Sequence, residues 1–265
     1  MKIEVPKSLE LLVKSAGVPV YLVGGYVRNS LRGLKPTDMD LTGPQPVSAL
    51  KLSPKYRVKT VNFRLGTAQI KCGKEVYEYT PFRVENYDKG HTPSEVYFTT
   101  DIKQDALRRD FTCNSVYYDI INDELIDLVG GIADIERGVL RSYKPERTLS
   151  SDGLRIIRLV RFACQLGFKI DGATASAAMA KAELLKDITP ERKREELDKI
   201  LAADVANGID QAHYRGVKLL AKMGLFKYLI PEVEQCVGVE QNPAYHKYDV
   251  AEHTFRTVAY APVKV

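Results

Sequence analysis

The sequence predicts an α+β fold in two parts: a mixed β-sheet with helices, followed by an all-helical region. Two observations carry this. Short apolar runs bounded by turn residues recur between about 19 and 128 and are rich in β-branched and aromatic residues. After about residue 149 the apolar positions instead repeat at helical spacing, as at Leu154, Ile157, Val160 and Cys164.

Taken in order, residues 1–18 read as a helix, with Ser8 as its cap and Leu9, Leu11, Leu12 and Val13 as its apolar face. Strands are expected at 19–23, 38–42, 56–61, 68–71 and 76–82, with turns at Gly66 and Gly73-Lys74. A short helix follows Gly24-Gly25 over 27–31, closed by Gly33 and Pro36. Segments 116–121 and 124–128 pair as a hairpin across Asn122-Asp123. Residues 84–98 are polar and aperiodic, which predicts a mobile loop. Further helices are expected at 173–187, 190–203, 208–223 and beyond 246, with Pro190 in a first turn behind Thr189.

The chain has 265 residues, 45% hydrophobic and 28% charged, the composition of an ordinary globular protein of two or three domains. No run of eighteen apolar residues occurs, so no membrane span is expected. The N-terminus has no signal-peptide core. Cys72, Cys113, Cys164 and Cys236 are scattered without a Cys-x-x-Cys pair, which argues against a zinc site or a disulfide frame and for a cytoplasmic location. The net charge is +5, and the segment 137–161 alone carries that excess through Arg137, Arg141, Lys144, Arg147, Arg155, Arg158 and Arg161. Such a basic stripe suits a polyphosphate or a nucleic-acid backbone, or is a solvated helix face.

The chemistry concentrates in Gly24-Gly25-Tyr26-Val27-Arg28 and, nine residues on, Asp38-Met39-Asp40-Leu41. The glycine pair lets the backbone turn tightly and approach a phosphate. Asp38 and Asp40, two apart on a strand, share one face. Two carboxylates there suit a pair of Mg²⁺ ions that hold a nucleoside triphosphate and activate an attacking hydroxyl. The plainer alternative is a surface turn with solvated acids. Glu78 would share a face with Val76 and Thr80, and could accept the proton of that hydroxyl or complete an ion shell. It could equally be a cross-strand ion-pair partner.

This stretch resembles the nucleotidyltransferase superfamily, in the branch that holds bacterial tRNA nucleotidyltransferases (CCA-adding enzymes) and bacterial poly(A) polymerases. Arg108-Arg109-Asp110-Phe111-Thr112-Cys113-Asn114-Ser115 is similar to a second signature of that branch. Asp152-Gly153-Leu154-Arg155, running into Arg158, Arg161-Phe162-Ala163 and Gln165-Leu166-Gly167-Phe168, is similar to its nucleotide-selecting helix. The resemblance covers roughly 20–205. It implies a catalytic head at 1–145, a helical neck at 146–205 and a helical body at 206–265. It implies metal ligands at Asp38 and Asp40, with the acid of β-strand 76–82 at Glu78 rather than Glu75. It further implies phosphate or ribose contacts from Gly24, Gly25, Arg28, Arg108, Arg109, Asp110 and Asn114. Asp152 and Arg155 would read the incoming base edge, and Arg158 and Arg161 would continue their face toward phosphate or a tRNA end. Each Arg–Asp set also fits simple helix ion pairs, as do Arg192, Arg194, Glu195 and Glu196.

Three departures stand out: Ser151 where the family often has Glu, Thr148-Leu149-Ser150 where an aromatic is usual before the acidic pair, and Asn29 where an acid commonly follows the arginine. His246, Asp249 and His253, at i, i+3 and i+7, suggest one face of a helix and a possible metal set; their surroundings resemble the opening of an HD domain, within which the chain would stop. The implied activity is template-independent transfer from CTP and ATP to the tRNA 3′ end with Mg²⁺. Poly(A) addition, CC-only or A-only addition and a catalytically silent RNA-binding remnant are the alternatives.

Overall fold

A computed structural model describes residues 2–36, 38–87 and 93–261, which divide into two compact units between Arg137 and Gly138. The first is built on a seven-stranded mixed sheet. In chain order it holds α1 (Lys7–Ser15), β1 (Tyr21–Val23), α2 (Gly25–Leu31), β2 (Met39–Gly43), β3 (Arg57–Asn62), β4 (Thr67–Cys72) and β5 (Glu75–Pro81). There follow β6 (Arg83–Asn86), β7 (Glu95–Phe98), α3 (Ile102–Arg108), β8 (Val116–Asp119), β9 (Glu124–Asp127) and α4 (Gly131–Arg137). The sheet order is β3-β4-β5-β2-β1-β8-β9. Only β2 and β5 within it run parallel; the other neighbours are antiparallel.

The alternation of the strands decides which face is covered. In β5, Tyr77 and Tyr79 are buried while Val76 and Glu78 are exposed. Leu41, Ile70 and both tyrosines lie in the core with Leu9 and Leu12 of α1. Tyr77 closes this contact with a 2.7 Å hydrogen bond to Ser8. Ser8 therefore does not cap α1; Pro6 holds that position and the helix is shorter than the hydrophobic pattern implies. A second cluster, Val23, Phe82, Ala106, Tyr117 and Val129, joins the sheet to α3. Phe82 stacks on Tyr21 at 5.9 Å and meets Tyr117 edge-on at 6.1 Å.

The expected loop at 84–98 is corrected. Its described residues form a β6–β7 ribbon with Arg83 opposite Phe98 and Asn86 opposite Glu95; its tip, 88–92, lies outside the described residues. The strands have no apolar alternation because charged groups do the packing. Glu85 accepts from Arg83 at 2.6 Å, from Arg108 at 3.4 Å and from the Tyr87 hydroxyl at 2.6 Å. Helices α3 and α4 were not expected. Asp101 caps the first through the Lys103 amide. Asp127 gathers the amides of Gly130, Gly131 and Ile132, each at 2.9 Å, at the start of the second.

The second unit holds β10 (Val139–Leu140), α5 (Pro145–Ser151), α6 (Leu154–Leu166), β11 (Lys169–Ile170), α7 (Gly172–Ala180), α8 (Pro190–Leu201), α9 (Ala203–Asn207), α10 (Ala212–Lys222), α11 (Phe226–Leu229), α12 (Pro231–Glu234) and α13 (Val250–Tyr260). β10 and β11 pair in parallel. Helix α6 is buried on nearly all sides, which makes it the central element rather than a surface helix. It ends at Gly167, whose φ of 70° is the left-handed conformation glycine adopts freely. The expected helix at 173–187 breaks at Lys181, and Ala182–Asp187 is a 3₁₀ turn. Thr189 takes the expected cap position of α8 but makes no side-chain cap bond. No helix among the described residues is long and apolar enough to cross a membrane.

Gly131 is the tightest glycine among the described residues: a Cβ there would lie 2.2 Å from the Thr112 carbonyl oxygen. Gly131→Ala should therefore cost about 2 kcal/mol or more, because backbone must move. Gly172→Ala, with no atom within 4 Å of its Cβ position, should be neutral or slightly stabilising. Urea unfolding of both variants checks the contrast, and equal midpoints would refute it.

Candidate active site

The turn after β1 is set by Gly24, whose φ is 79° and whose ψ is −139°. A Cβ on Gly24 would come within 3.2 Å of Asp40 Oδ2. The glycine thus lets the β1–α2 turn close over the carboxylate. Asp40 in β2 is the register partner of Val23 on one side and of Glu78 on the other. Side chains paired this way leave the sheet on one face. Asp38, exposed, lies two residues earlier, just before β2 begins.

The electrostatics follow from that crowding. The Asp40 carboxyl is pushed up to about 6, first by burial and then by Glu78, with Asp38 adding to the rise and Arg109 and Arg28 opposing it. Among the described residues no three His, Cys, Asp or Glu side chains converge on one ion position. The donor set is nonetheless oxygen-only and anionic. One or two carboxylates with the remaining positions left to water and phosphate is the usual environment of Mg²⁺, and Asp38 with Asp40 fits it.

Arg28 in α2 is almost wholly buried. Its Nε and Nη2 each donate to Asn29 Oδ1 at 3.1 Å, and its Nη1 donates to Asn114 Oδ1. Asn114 in turn donates to Asp110 Oδ1 at 3.2 Å, an oxygen that also accepts the Phe111 amide at 2.8 Å. Asn29, a departure from the family pattern, thus serves as an acceptor for the arginine. The predicted Arg28, Asp110 and Asn114 are brought together in one network.

Arg108 and Arg109 share one anchor. Both bind Asp105, which is fully buried and was missed from the sequence. Arg108 reaches Asp105 Oδ1 at 2.6 Å and Arg109 reaches Oδ2 at 2.9 Å. The Tyr117 hydroxyl donates to Oδ2 at 2.7 Å and accepts from Arg109 Nε at 3.2 Å. Burial alone would raise the Asp105 carboxyl, but Arg109 and Arg108 outweigh it and hold it well below the usual carboxylate range. The available signal was an acid three and four residues before the arginines on a helix.

In the second unit, Asp152 stands between α5 and α6 and accepts the Leu154 amide at 3.0 Å. Arg155 Nε lies 4.0 Å from Asp152 Oδ2. Arg155 Nη1 donates to the Thr148 carbonyl at 3.1 Å and to Ser151 Oγ at 3.2 Å. Burial raises the Asp152 carboxyl, and Arg155, Arg192 and Arg158 oppose it. Arg192, read from the sequence as a helix ion pair, therefore belongs to the surroundings of Asp152. Arg158 lies over the Phe162 ring at 5.2 Å. Arg161 does not continue the face of Arg155: it turns to α8 and pairs with buried Glu196 at 3.0 Å. Arg194, read from the sequence as a helix ion pair, makes one within α8, with Asp198 at 3.7 Å.

The set His246, Asp249 and His253 does not share a helix face. Helix α13 begins at Val250, and Asp249 is its cap, accepting the Glu252 amide at 2.6 Å. His246 lies before the helix and meets His253 only edge-on, at 6.4 Å between rings.

A sheet that carries paired acids beside a glycine turn defines a nucleotidyltransferase core, and comparison with known proteins agrees. Residues 20–141 match the family described as "Poly A polymerase head domain", and residues 167–236 match "Probable RNA and SrmB- binding site of polymerase A". The CCA-adding enzyme of Lactiplantibacillus plantarum is 35% identical over 239 residues, covering 88% of this chain and 56% of that protein. Poly(A) polymerase I of Escherichia coli O6:H1 is 36% identical over 240 residues, covering 83% of this chain and 48% of that protein. Among solved structures, the Bacillus stearothermophilus CCA-adding enzyme in complex with CTP aligns with a TM-score of 0.75 at 30% identity, covering 87% of this chain and 55% of that one. A tRNA nucleotidyltransferase complexed with a primer tRNA and an incoming ATP analog aligns with a TM-score of 0.67 at 26% identity, covering 89% of this chain and 64% of that one. The chain belongs to the nucleotidyltransferase family of CCA-adding enzymes and bacterial poly(A) polymerases. It spans about half the length of the curated relatives it matches.

The Asp105 network makes a prediction about pH. Because the folded-state carboxyl is held below its unfolded value, its stabilisation is complete above about pH 4 and is lost as pH falls further. Asp105→Asn should cost about 3 kcal/mol or more at neutral pH, since it leaves two partly buried arginines without their charge partner. The gap to wild type should shrink between about pH 4 and pH 2 in denaturant titrations. A gap independent of pH would refute the assignment.

Proposed function

We propose that this chain carries out template-independent nucleotidyl transfer from CTP and ATP to the 3′ end of tRNA, releasing pyrophosphate. The observation that carries the reading is the register pairing of Asp40 with Glu78 beside the Gly24 turn. In this reading 1–145 is the catalytic head, 146–205 the nucleotide-selecting neck and 206–265 the body.

The backbone at Gly24-Gly25 and the start of α2 face the triphosphate, where N–H groups and the helix end favour an anion. Arg28, held by Asn29 and Asn114, adds a fixed positive charge there, with Arg108 and Arg109 as further phosphate contacts. Asp110 and Asn114 support that loop and the ribose. Asp38 and Asp40 would hold Mg²⁺, which when bound supplies Lewis-acid stabilisation of the triphosphate and lowers the pKa of the attacking hydroxyl. The terminal ribose oxygen attacks the α-phosphorus and the bond to the β-phosphate oxygen breaks. The hydroxyl proton passes to Glu78, the carboxylate on the open strand beside the pair. Asp152 and Arg155 present acceptor and donors to the base edge, as a fixed protein substitute for a template.

Repeated AMP addition is the second reading, favoured by the poly(A) polymerase relatives, which are as similar to this chain as the CCA-adding ones. Incorporation of labelled CTP and ATP into tRNA lacking its 3′ end separates the two. One round of both nucleotides supports CCA addition, a ladder of AMP supports the alternative, and no incorporation refutes both.

Asp38→Ala and Asp40→Ala should each reduce transfer below about a tenth of wild type, given their direct role at the reacting phosphate. Glu78→Ala should be milder. Activity retained in the aspartate variants with Mg²⁺ saturating would refute the metal assignment.

Arg155→Ala should act on base choice. Losing a charged hydrogen bond in a partly dry site costs on the order of 2–3 kcal/mol, which is roughly a thirty- to hundred-fold loss of discrimination. It should appear as misincorporation of UTP or GTP. An equal loss for all four nucleotides would make Arg155 a structural or phosphate-binding residue instead.

A further inference from the structure

The open face of the sheet carries a feature that the transfer chemistry does not use. Residues 51–74 contain seven Lys and Arg and no Asp or Glu. Their strands, β3 and β4, form one end of the sheet, and every residue of β3 is exposed. Register decides where the charges point. Lys59 pairs with Gln69, Gln69 with Glu78, and Glu78 with Asp40. One row of side chains therefore runs from Asp40 to Lys59 along a single face. Arg57 and Lys71, also paired, stand on that face two residues along each strand. The opposite face is the covered one, where Ile70, Tyr77, Tyr79 and Leu41 are buried. Three strand spacings separate Lys59 from Asp40, on the order of 14 Å. At the β3–β4 turn, Phe63 is 92% exposed, and Arg64 ties the turn to the ribbon by donating to the Ser94 carbonyl.

We propose that this face, with Arg57, Lys59 and Lys71 as its cations and Phe63 at its edge, is the track on which the single-stranded 3′ end of the RNA acceptor docks. The inference rests on the transferase reading above and adds where the acceptor strand lies. In-line displacement sets the attacking and leaving oxygens on opposite sides of the reacting phosphorus. The Gly24-Gly25 turn and Arg28 place the triphosphate at the β1 side of the carboxylates. The attacking hydroxyl then arrives from the Glu78 side, and the strand behind it passes over β4 and β3. That path meets cations without an interleaved acid, as a phosphate backbone requires, and ends at an exposed aromatic on which a base can stack. Lysines on an edge strand also guard against edge-to-edge pairing. That role accounts for Lys59 but not for Lys71, which lies on the inner strand β4, nor for an aromatic left almost entirely in solvent.

The test is fluorescence anisotropy of a labelled single-stranded RNA ending in the tRNA acceptor sequence, titrated with the full chain at several salt concentrations. The triple variant Arg57→Gln, Lys59→Gln, Lys71→Gln should bind at least about tenfold more weakly at low salt. Its slope of log affinity against log salt should fall by about 2, at roughly 0.7 for each phosphate no longer neutralised. Phe63→Ala should weaken binding by about tenfold with the slope unchanged, because stacking releases no ions. A control triple, Lys2→Gln, Lys7→Gln, Lys14→Gln, removes the same charge from the chain start and α1 and should leave both quantities as in wild type. If the β3–β4 triple matches wild type, or both triples weaken binding equally, the track is overturned. Nucleotide incorporation by wild type, measured in parallel, separates the two readings. Incorporation without a slope difference overturns the track alone; a slope difference without incorporation supports the track while the transferase reading falls.

Discussion

Asp40 and Glu78 face each other across the β2–β5 pair, and two carboxylates in that register repel one another. The head of this protein is organised around holding them there. The restraint comes from the other side of the sheet, where Leu41, Tyr77 and Tyr79 alternate with the acids and are buried. Moving either strand by one residue would put an acid into the core and a tyrosine into water. The pairing of hydrophobic and acidic positions at period two therefore fixes the register that the repulsion opposes. Raising the Asp40 carboxyl from 3.8 to about 6 corresponds to a cost on the order of 3 kcal/mol for the ionised folded state. That cost remains after Arg109 and Arg28 have offset part of it, and it is sustained by a core of aromatic and aliphatic side chains.

The positive charges around the acids are fixed in the same way. A free arginine loses rotamer entropy when it closes on a phosphate. Here Arg109 is held by Asp105 and Tyr117, and Arg28 by Asn29 and Asn114. The two arrangements differ in kind: Asp105 is a carboxylate that neutralises part of the charge of Arg108 and Arg109, whereas Asn29 and Asn114 hold Arg28 through neutral amide oxygens.

What the sequence made legible was whatever is local. Strands β1 to β5 and the β8–β9 hairpin follow from apolar runs bounded by glycine or asparagine turns; Glu78 is singled out by the family resemblance, and its place opposite Asp40 needs the β2–β5 pairing, which no local pattern shows. The β6–β7 ribbon was not legible, because its inner positions are Arg83 and Glu85, which pair with each other, Glu85 pairing also with Arg108, 23 residues further on. Asp105 escaped notice for the opposite reason: it stands so near Arg108 and Arg109 that the three look like an ordinary helix ion pair. The pairing of Arg161 with Glu196, 35 residues apart, needs the packing of α6 on α8 and has no local sign. His246, Asp249 and His253 misled because helical spacing was carried across a helix start; Asp249 spends its carboxylate on the cap of α13.

The helix α6 shows how one segment serves both packing and polarity. Ten of its thirteen residues are buried, Arg155 and Arg161 among them. The two arginines are secured at different ranges. Arg161 depends on Glu196 in another helix, so any change there passes into the packing of α8. Arg155 takes Thr148, Ser151 and Asp152, all within the α5–α6 junction. That junction is itself pinned, since a Cβ on Gly153 would lie 2.9 Å from the Leu184 carbonyl oxygen. The hydrogen bonds of Arg155 to Thr148 and Ser151 are thus made within a short piece of chain that packs closely on Leu184. Ser151 supplies a neutral acceptor where an acid would supply a charged one. It steadies the guanidinium without cancelling its charge, just as Asn29 does for Arg28. Ser151 and Asn29, two of the positions where this chain departs from the family pattern, each place a neutral oxygen on an arginine where the family often carries a carboxylate.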